Sequence, residues 1–224
     1  MTAGKTILSE LEKLFAVLSG KVKSVAYKKK FFNQLLVAGF NLKNRFIELI
    51  DREIANAISG LPAGITIKLN NLQERDLIFR LYDASQAGVK VSLIVRSICC
   101  IIPGVTGMSE NIRVTRIVDR YLEHSRVFMF NNNNDPEIFL GSADWMNRNI
   151  YNRIEVCFPV YDKDIAKQLI NIFAIQLADN SQAVMINEKL ENIIKDAGPN
   201  IIQSQHDIYQ LLSADNQDTK QFNA

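Results

Sequence analysis

His124 and Arg126 lie two apart in Leu122-Glu123-His124-Ser125-Arg126, and 15 residues after Arg126 the chain runs through Gly141-Ser142-Ala143-Asp144-Trp145. An imidazole can attack, or give and take a proton. A guanidinium is a fixed cation, and a hydroxyl beside turn amides can hold further oxygens. Together these are the parts a phosphate-handling site needs. In a strand, residues two apart share a face, so His124 and Arg126 are expected side by side. H-x-R alone is more often a surface or hydrogen-bonded core histidine. The Gly-Ser turn and the arginines around it favour an anion site.

Those arginines are numerous. Arg96 ends the apolar stretch Val89–Val95, and open α/β sheets bind ligands at the C-terminal ends of their strands. Arg113, Arg116, Arg120 and Arg126 follow, so five arginines fall between positions 96 and 126, with Asn111, Arg148 and Arg153 in the same half of the chain. Arginine grips phosphate through a planar fork that lysine lacks. Glu110, Asp119 and Glu123 are expected to pair several of them, and Arg116 and Arg120 read as solvated or ion-paired. Other chemistries fit less well. The sequence has no GxxxxGK[ST] and no GxSxG. Cys99-Cys100 reads as core rather than as a thiolate, His206 as surface and Trp145 as packing.

Composition sets the frame. The chain has 224 residues, 47% hydrophobic and 22% charged, which predicts a folded core. The net charge of +2 is too small for a diffuse polycation, so anion binding must come from local clustering. Three cysteines, two of them adjacent, do not make a disulfide framework and point to a reducing cytoplasm. No cysteine or histidine spacing suggests zinc, so no metal ligand is assigned. No apolar run reaches membrane-spanning length, and the start has no secretory core. Peripheral membrane contact stays open.

The elements that must position these residues read as α/β. A helix is predicted over 5–18, followed by a basic connector with Lys21, Lys23 and Lys28-Lys29-Lys30. A short strand over Leu35–Ala38 leads to a helix through Ile58, with Asn41 as its cap. Strand Ile65–Leu69, helix Leu72–Ala87 and strand Val89–Val95 follow, a pattern that predicts a parallel sheet with helical cover. After a loop over 96–111 come strand Ile112–Val118 and a hairpin, Arg126–Phe130 with Glu137–Leu140, around an asparagine-rich turn. Strand Arg153–Val160 and a helix from Asp162 to Leu177 complete the pattern. Beyond Asp179 the signal fades to a short helix at 206–213 and a frayed, weakly structured tail.

Longer blocks then become recognisable. Val95–Val105, Ser109–Val114, Ile117–Arg126 and Gly141–Asn149 closely resemble the C-terminal part of the bacterial polyphosphate kinase family. Leu49–Ile54 and Ile67–Leu72 extend the likeness to residues 35–190. The resemblance implies a phospholipase D-like α/β fold: a mixed sheet flanked by helices, with residues 1–34 as an N-terminal helix and connector and 191–224 as an extension. That superfamily's motif is H-x-K followed by an acid and then Gly-Ser. Here Arg126 replaces the lysine, and Asn131 stands where the acid would fall, with Asp135 four residues later.

The resemblance also implies an activity: reversible transfer of the terminal phosphate of ATP to a growing polyphosphate chain through a phosphohistidine, with Mg2+. The phosphohistidine and the magnesium ligands are expected upstream, in a preceding catalytic domain. The chain is accordingly expected to be an inactive fragment with an artificial start, a natural truncated paralogue being the alternative. The family's nucleotide-contacting arginine and histidine map onto Arg96 and His124, 28 residues apart. His124 is expected to act as acid/base or phosphate ligand. Arg126, Ser142 and Arg153 are expected to bind nucleotide or phosphate. ATP, ADP and polyphosphate are the implied partners, with homo-oligomerisation of the full-length enzyme and no nucleic acid. The rivals are a phosphodiesterase or nuclease half-site and a noncatalytic polyanion-binding module. Against nucleic acid, only Tyr121 is aromatic between Arg96 and Arg126.

Overall fold

Ile65, Ile67 and Leu69 alternate along one strand with Thr66 and Lys68, and this period of two sorts the core into two layers. The computed structural model describes residues 4–21, 31–195 and 198–221; Lys23 and the run Lys28–Lys30 lie outside them. Among the described residues a single sheet holds nine strands in the order β1-β7-β6-β5-β2-β3-β4-β8-β9. They are β1 (Leu36–Val37), β2 (Gly64–Leu69), β3 (Lys90–Val95), β4 (Ile112–Ile117), β5 (Arg126–Phe130), β6 (Glu137–Gly141), β7 (Val156–Pro159), β8 (Ala183–Ile186) and β9 (Asn192–Ile194).

The sheet is mixed. Only β2, β3 and β4 run parallel, with Leu69 opposite Val95 and Leu93 opposite Val114. On the other side of β2 the partner is antiparallel β5, with Ile67 opposite Phe128. The step from β2 through α3 to β3 gives the predicted parallel pair, but β1, ahead of α2, pairs antiparallel with β7 at the sheet edge, and β4 joins β3 in parallel after a loop. Tight turns reverse the chain between β5 and β6 and between β8 and β9, while β1, β2 and β4 meet antiparallel partners distant in the sequence.

Helices α2 (Leu42–Ile58) and α3 (Arg75–Gln86) cover one face. Phe46, Leu49, Leu77 and Leu81 pack there with Ile65, Ile67, Leu93 and Phe128. Phe46 lies 4.4 Å from Phe128 between ring centres, and Trp145 stacks on Phe128 at 5.7 Å. Trp145 is fully buried, so it is packing, as expected. Helix α5 (Lys163–Ala178) covers the other face, where Phe173 meets Ile94, Val127 and Ile138. Asp162 caps it by accepting from the amides of Asp164 and Ile165. Helix α1 (Lys5–Leu18) buries Ile7 and Leu14 against Phe32, Leu35 and Val37. Its buried Glu10 accepts from the amides of Asn33, Gln34 and Leu35, pinning the edge of the sheet.

Several elements differ from expectation for local reasons. Asn41 stands at the N-cap of α2, as expected, but its side chain makes no capping bond; it accepts from Val37 N and donates to the carbonyls of Phe32 and Leu35. Helix α3 starts at Arg75, because Leu72 is drawn into single bridges with Cys99 and Trp145. Arg153 lies outside β7, at the end of a short helix α4 (Asn147–Asn152). The C-terminal part is more ordered than its sequence suggests: β8 and β9 extend the sheet, and α6 (Ser204–Gln221) follows. Strand β9 is exposed throughout, so no apolar alternation betrays it. The asparagine-rich turn is as expected. Asn132, Asn133 and Asn134 have φ of 48°, 54° and 65°, values asparagine tolerates better than most residues.

Candidate functional site

The parallel strands β2 and β3 end side by side at Leu69 and Val95, and antiparallel β5 begins and β6 ends at the same edge. Past that edge lie Asn70, Asn71, Arg96, Ser142 and Asp144, with His124 just before β5. Backbone bonds tie the loops together: Arg96 N donates to Leu69 O at 3.3 Å and Ser97 N to Asn70 O at 2.9 Å.

His124 and Arg126 are in contact, although His124 precedes the strand rather than lying within it. Arg126 Nη1 lies 2.7 Å from Nδ1 of His124 and 2.6 Å from its carbonyl oxygen, and Nη2 lies 3.2 Å from Nε2. A guanidinium has no lone pair to offer and a neutral imidazole has one accepting nitrogen, so only one of these two ring contacts can be a hydrogen bond. The rest of the guanidinium faces Asp144. Nε donates to Oδ1 at 3.1 Å and Nη2 to Oδ2 at 3.3 Å, a forked ion pair. Every nitrogen of the Arg126 guanidinium is therefore directed at Asp144 or His124.

Asp144 holds this arrangement. Its buried carboxylate also accepts from Asn70 N at 2.9 Å and Asn71 Nδ2 at 2.9 Å. Burial is the strongest single influence on its carboxyl and opposes ionisation. The donors from Asn71, Arg126 and Asn70 together outweigh it and hold the carboxyl below the usual aspartate range. The sequence shows Asp144 within Gly141–Trp145, but nothing in that motif alone gives it a role. The available signal was an acid between buried Ala143 and Trp145, which demands donors.

Gly141 has no room for a side chain. A Cβ there would sit 2.2 Å from Cys157 Sγ and 2.8 Å from Val156 O, so glycine lets the turn press onto β7. Ser142 follows, its hydroxyl donating to Glu155 and accepting from Val156 N at 3.3 Å. Asn149 Nδ2 donates to the other oxygen of the buried Glu155.

Arg96 is different. It is half-buried, and its Nε is buried without a hydrogen-bond partner. Buried donors are normally satisfied, so this Nε is a donor short of an acceptor. Arg116 shares a buried Nε without a partner, but its two other nitrogens are engaged, donating to Ser97 O and Asn192 Oδ1, whereas Arg120 lies over the Tyr121 ring. Arg148 and Arg153 are exposed on and beside α4. The acids do not pair these arginines as expected. Glu123 instead takes Lys68, whose ammonium is buried, and Asp119 accepts from Gln203. A lysine inside an apolar strand was the sequence signal for that pair. Burial lowers the Lys68 pKa, and Glu123 acts against the fall.

Cys99 is partly buried and its thiol is pushed up to about 11 by burial, consistent with a core role, whereas Cys100 is exposed. His206 is exposed on α6. A cavity of about 650 Å³ lies at the opposite edge of the sheet, among Glu137, Pro159 and Lys163. It is away from this cluster. Among the described residues no group of three or more His, Cys, Asp or Glu side chains could hold a metal ion. No helix among them is long and apolar enough to cross a membrane.

The fold defines the mixed α/β class, in which open sheets bind ligands where their parallel strands end, and here arginine, amide and imidazole groups gather at that place. The chain belongs to the polyphosphate kinase family: residues 35–222 match the family described as "Polyphosphate kinase C-terminal domain 2". Polyphosphate kinase of Vibrio parahaemolyticus is 41% identical over 213 residues, which is 95% of this chain and 30% of that protein. The Escherichia coli K12 enzyme is 44% identical over 192 residues, 86% of this chain and 27% of that protein. The crystal structure of polyphosphate kinase from Porphyromonas gingivalis superposes with a TM-score of 0.92 at 42% identity, covering 97% of this chain and 33% of that one. The chain thus spans about a third of the length of these relatives.

Proposed function

We propose that this domain supplies one wall of the active site in which the terminal phosphate of ATP is passed to polyphosphate. A histidine that these 224 residues do not provide attacks the γ-phosphorus, the bond to ADP breaks, and the terminal oxygen of polyphosphate then displaces the histidine. Arg96 and His124 contact the moving phosphate on this wall. A loose phosphoryl-transfer transition state needs positioned cations and donors more than covalent machinery. Arg126 and Ser142 act at one remove, because their donors already serve Asp144, His124 and Glu155. Arg153, exposed beside the turn, lines the path of the polymer. The described residues offer no group of three or more ligands for magnesium, so the ion's ligands would lie outside them.

The observation that carries this reading is the run of contacts from Arg96 through Leu69, Asn70, Asp144 and Arg126 to His124, with Arg96 Nε left open. The test is titration of the chain with medium-length polyphosphate and with single-stranded DNA of equal charge, in wild type and in Arg96→Ala/His124→Ala. Polyphosphate should bind preferentially, and the double variant should lose that preference. Equal binding of both polymers, untouched by the substitutions, would leave only a diffuse basic surface.

A further inference from the structure

The loop from Val118 to Ser125 carries His124, yet it has little core of its own: Val118, Tyr121 and Leu122 are 64%, 64% and 74% exposed. A loop so exposed should not hold an imidazole in one place without outside support. Besides Arg126, which meets the imidazole directly, support comes from the far end of the chain. Gln205 pairs with the Tyr121 backbone at both ends of its amide, Tyr121 N donating to Oε1 at 2.9 Å and Nε2 donating to Tyr121 O at 2.8 Å. The same Nε2 reaches Glu123 Oε1 at 3.1 Å. Gln203 Nε2 reaches both carboxylate oxygens of Asp119, at 3.3 and 3.1 Å.

This segment is itself anchored. Ser204, between the two glutamines, is buried, and its amide donates to Asp179 Oδ2 at 2.8 Å. The other oxygen of Asp179 accepts from the amides of Ser181, Gln182 and Ala183. From the opposite side, Gln176 of α5 donates to Glu123 Oε2 at 2.6 Å, and buried Lys68 pairs with the same oxygen. Glu123, the neighbour of His124, is thus gripped by β2, by α5 and by the start of α6.

We propose that Gln203 and Gln205 are positioning residues for His124, and that the C-terminal segment is a strap completing the site from outside the central sheet. The proposal rests on the reading of His124 as a phosphate-contacting group, but its test does not depend on phosphate binding. The chain has only two histidines, so imidazole NMR signals can be assigned to His124 and His206. In Gln203→Ala/Gln205→Ala, amide hydrogen exchange over residues 119–124 should speed up about tenfold. The His124 ring signals should shift or broaden, with the urea unfolding midpoint nearly unchanged.

Gln205→Glu separates positioning from general stability. Gln205 lies in the first turn of α6, where a carboxylate favours the helix dipole, so a merely structural role predicts no harm. If the strap holds, the substituted side chain loses the donor to Tyr121 and turns a like charge toward Glu123. His124 should then be disturbed at least as much as in the alanine variant. Unchanged exchange and unchanged His124 signals in both variants would overturn the strap. If wild type fails to bind polyphosphate, the functional reading falls, while the exchange and ring signals still decide the strap.

Discussion

Arg126 and Arg96 stand at the same edge of one sheet and do opposite work. Arg126 has a carboxylate partner, and each of its guanidinium nitrogens is engaged, so it behaves as part of the scaffold that fixes His124. Arg96 leaves strand β3 with a buried Nε that has no acceptor, an arrangement that costs stability unless a ligand completes it. One arginine is closed and one is open. The contrast teaches that arginine count and motif spacing alone do not tell a ligand from a support; the partner of each guanidinium does.

The largest effect should come from removing the partner of the closed arginine. Asp144→Ala leaves Arg126 charged and largely buried, which should cost about 3–5 kcal/mol in urea unfolding. An effect within the range of an ordinary surface substitution would erase the contrast. A smaller effect comes from pH. The Asp144 carboxyl lies below its unfolded value, so its stabilisation is fully present above that unfolded pKa and is lost as pH falls through the folded one. The unfolding midpoint should therefore drop with acid below about pH 5, and Asp144→Asn should be less stable at neutral pH but flatter along that acid limb. A variant with the wild-type acid slope would show that other carboxylates carry it. The smallest effect leaves stability untouched: burial pushes the Cys99 and Cys157 thiols up to about 11 and about 12, while Cys100 is exposed. A thiol reagent at mildly alkaline pH should modify Cys100 ahead of both, and fast reaction of Cys157 would contradict the tight turn at Gly141.

Much of this fold is legible in the sequence wherever burial writes a period. Ile65–Leu69, Val89–Val95 and the Phe46–Leu49–Ile50 face show it plainly, because one side of each meets the core. Strand β9 and the strap do not, since their partners are backbone and polar groups that leave no apolar pattern. The site divides in the same way. The meeting of Arg126 and the Gly141-Ser142 turn at one sheet edge follows from the β5–β6 hairpin, while His124 joins them from the loop before β5 and not by strand alternation. Asp144 as holder of Arg126, and Glu123 as partner of Lys68 rather than of an arginine, depend on which strands become neighbours. That is settled by tertiary packing, not by residues adjacent in the chain.

Arg96→Ala, followed by both urea unfolding and polyphosphate titration, tests the central contrast most directly. The open-arginine account predicts that polyphosphate affinity falls at least about tenfold, or roughly 1.4 kcal/mol, while the unfolding midpoint stays the same or rises. A lower midpoint with unchanged affinity would contradict it, because Arg96 would then be a support like Arg126 and the phosphate would have to be held elsewhere.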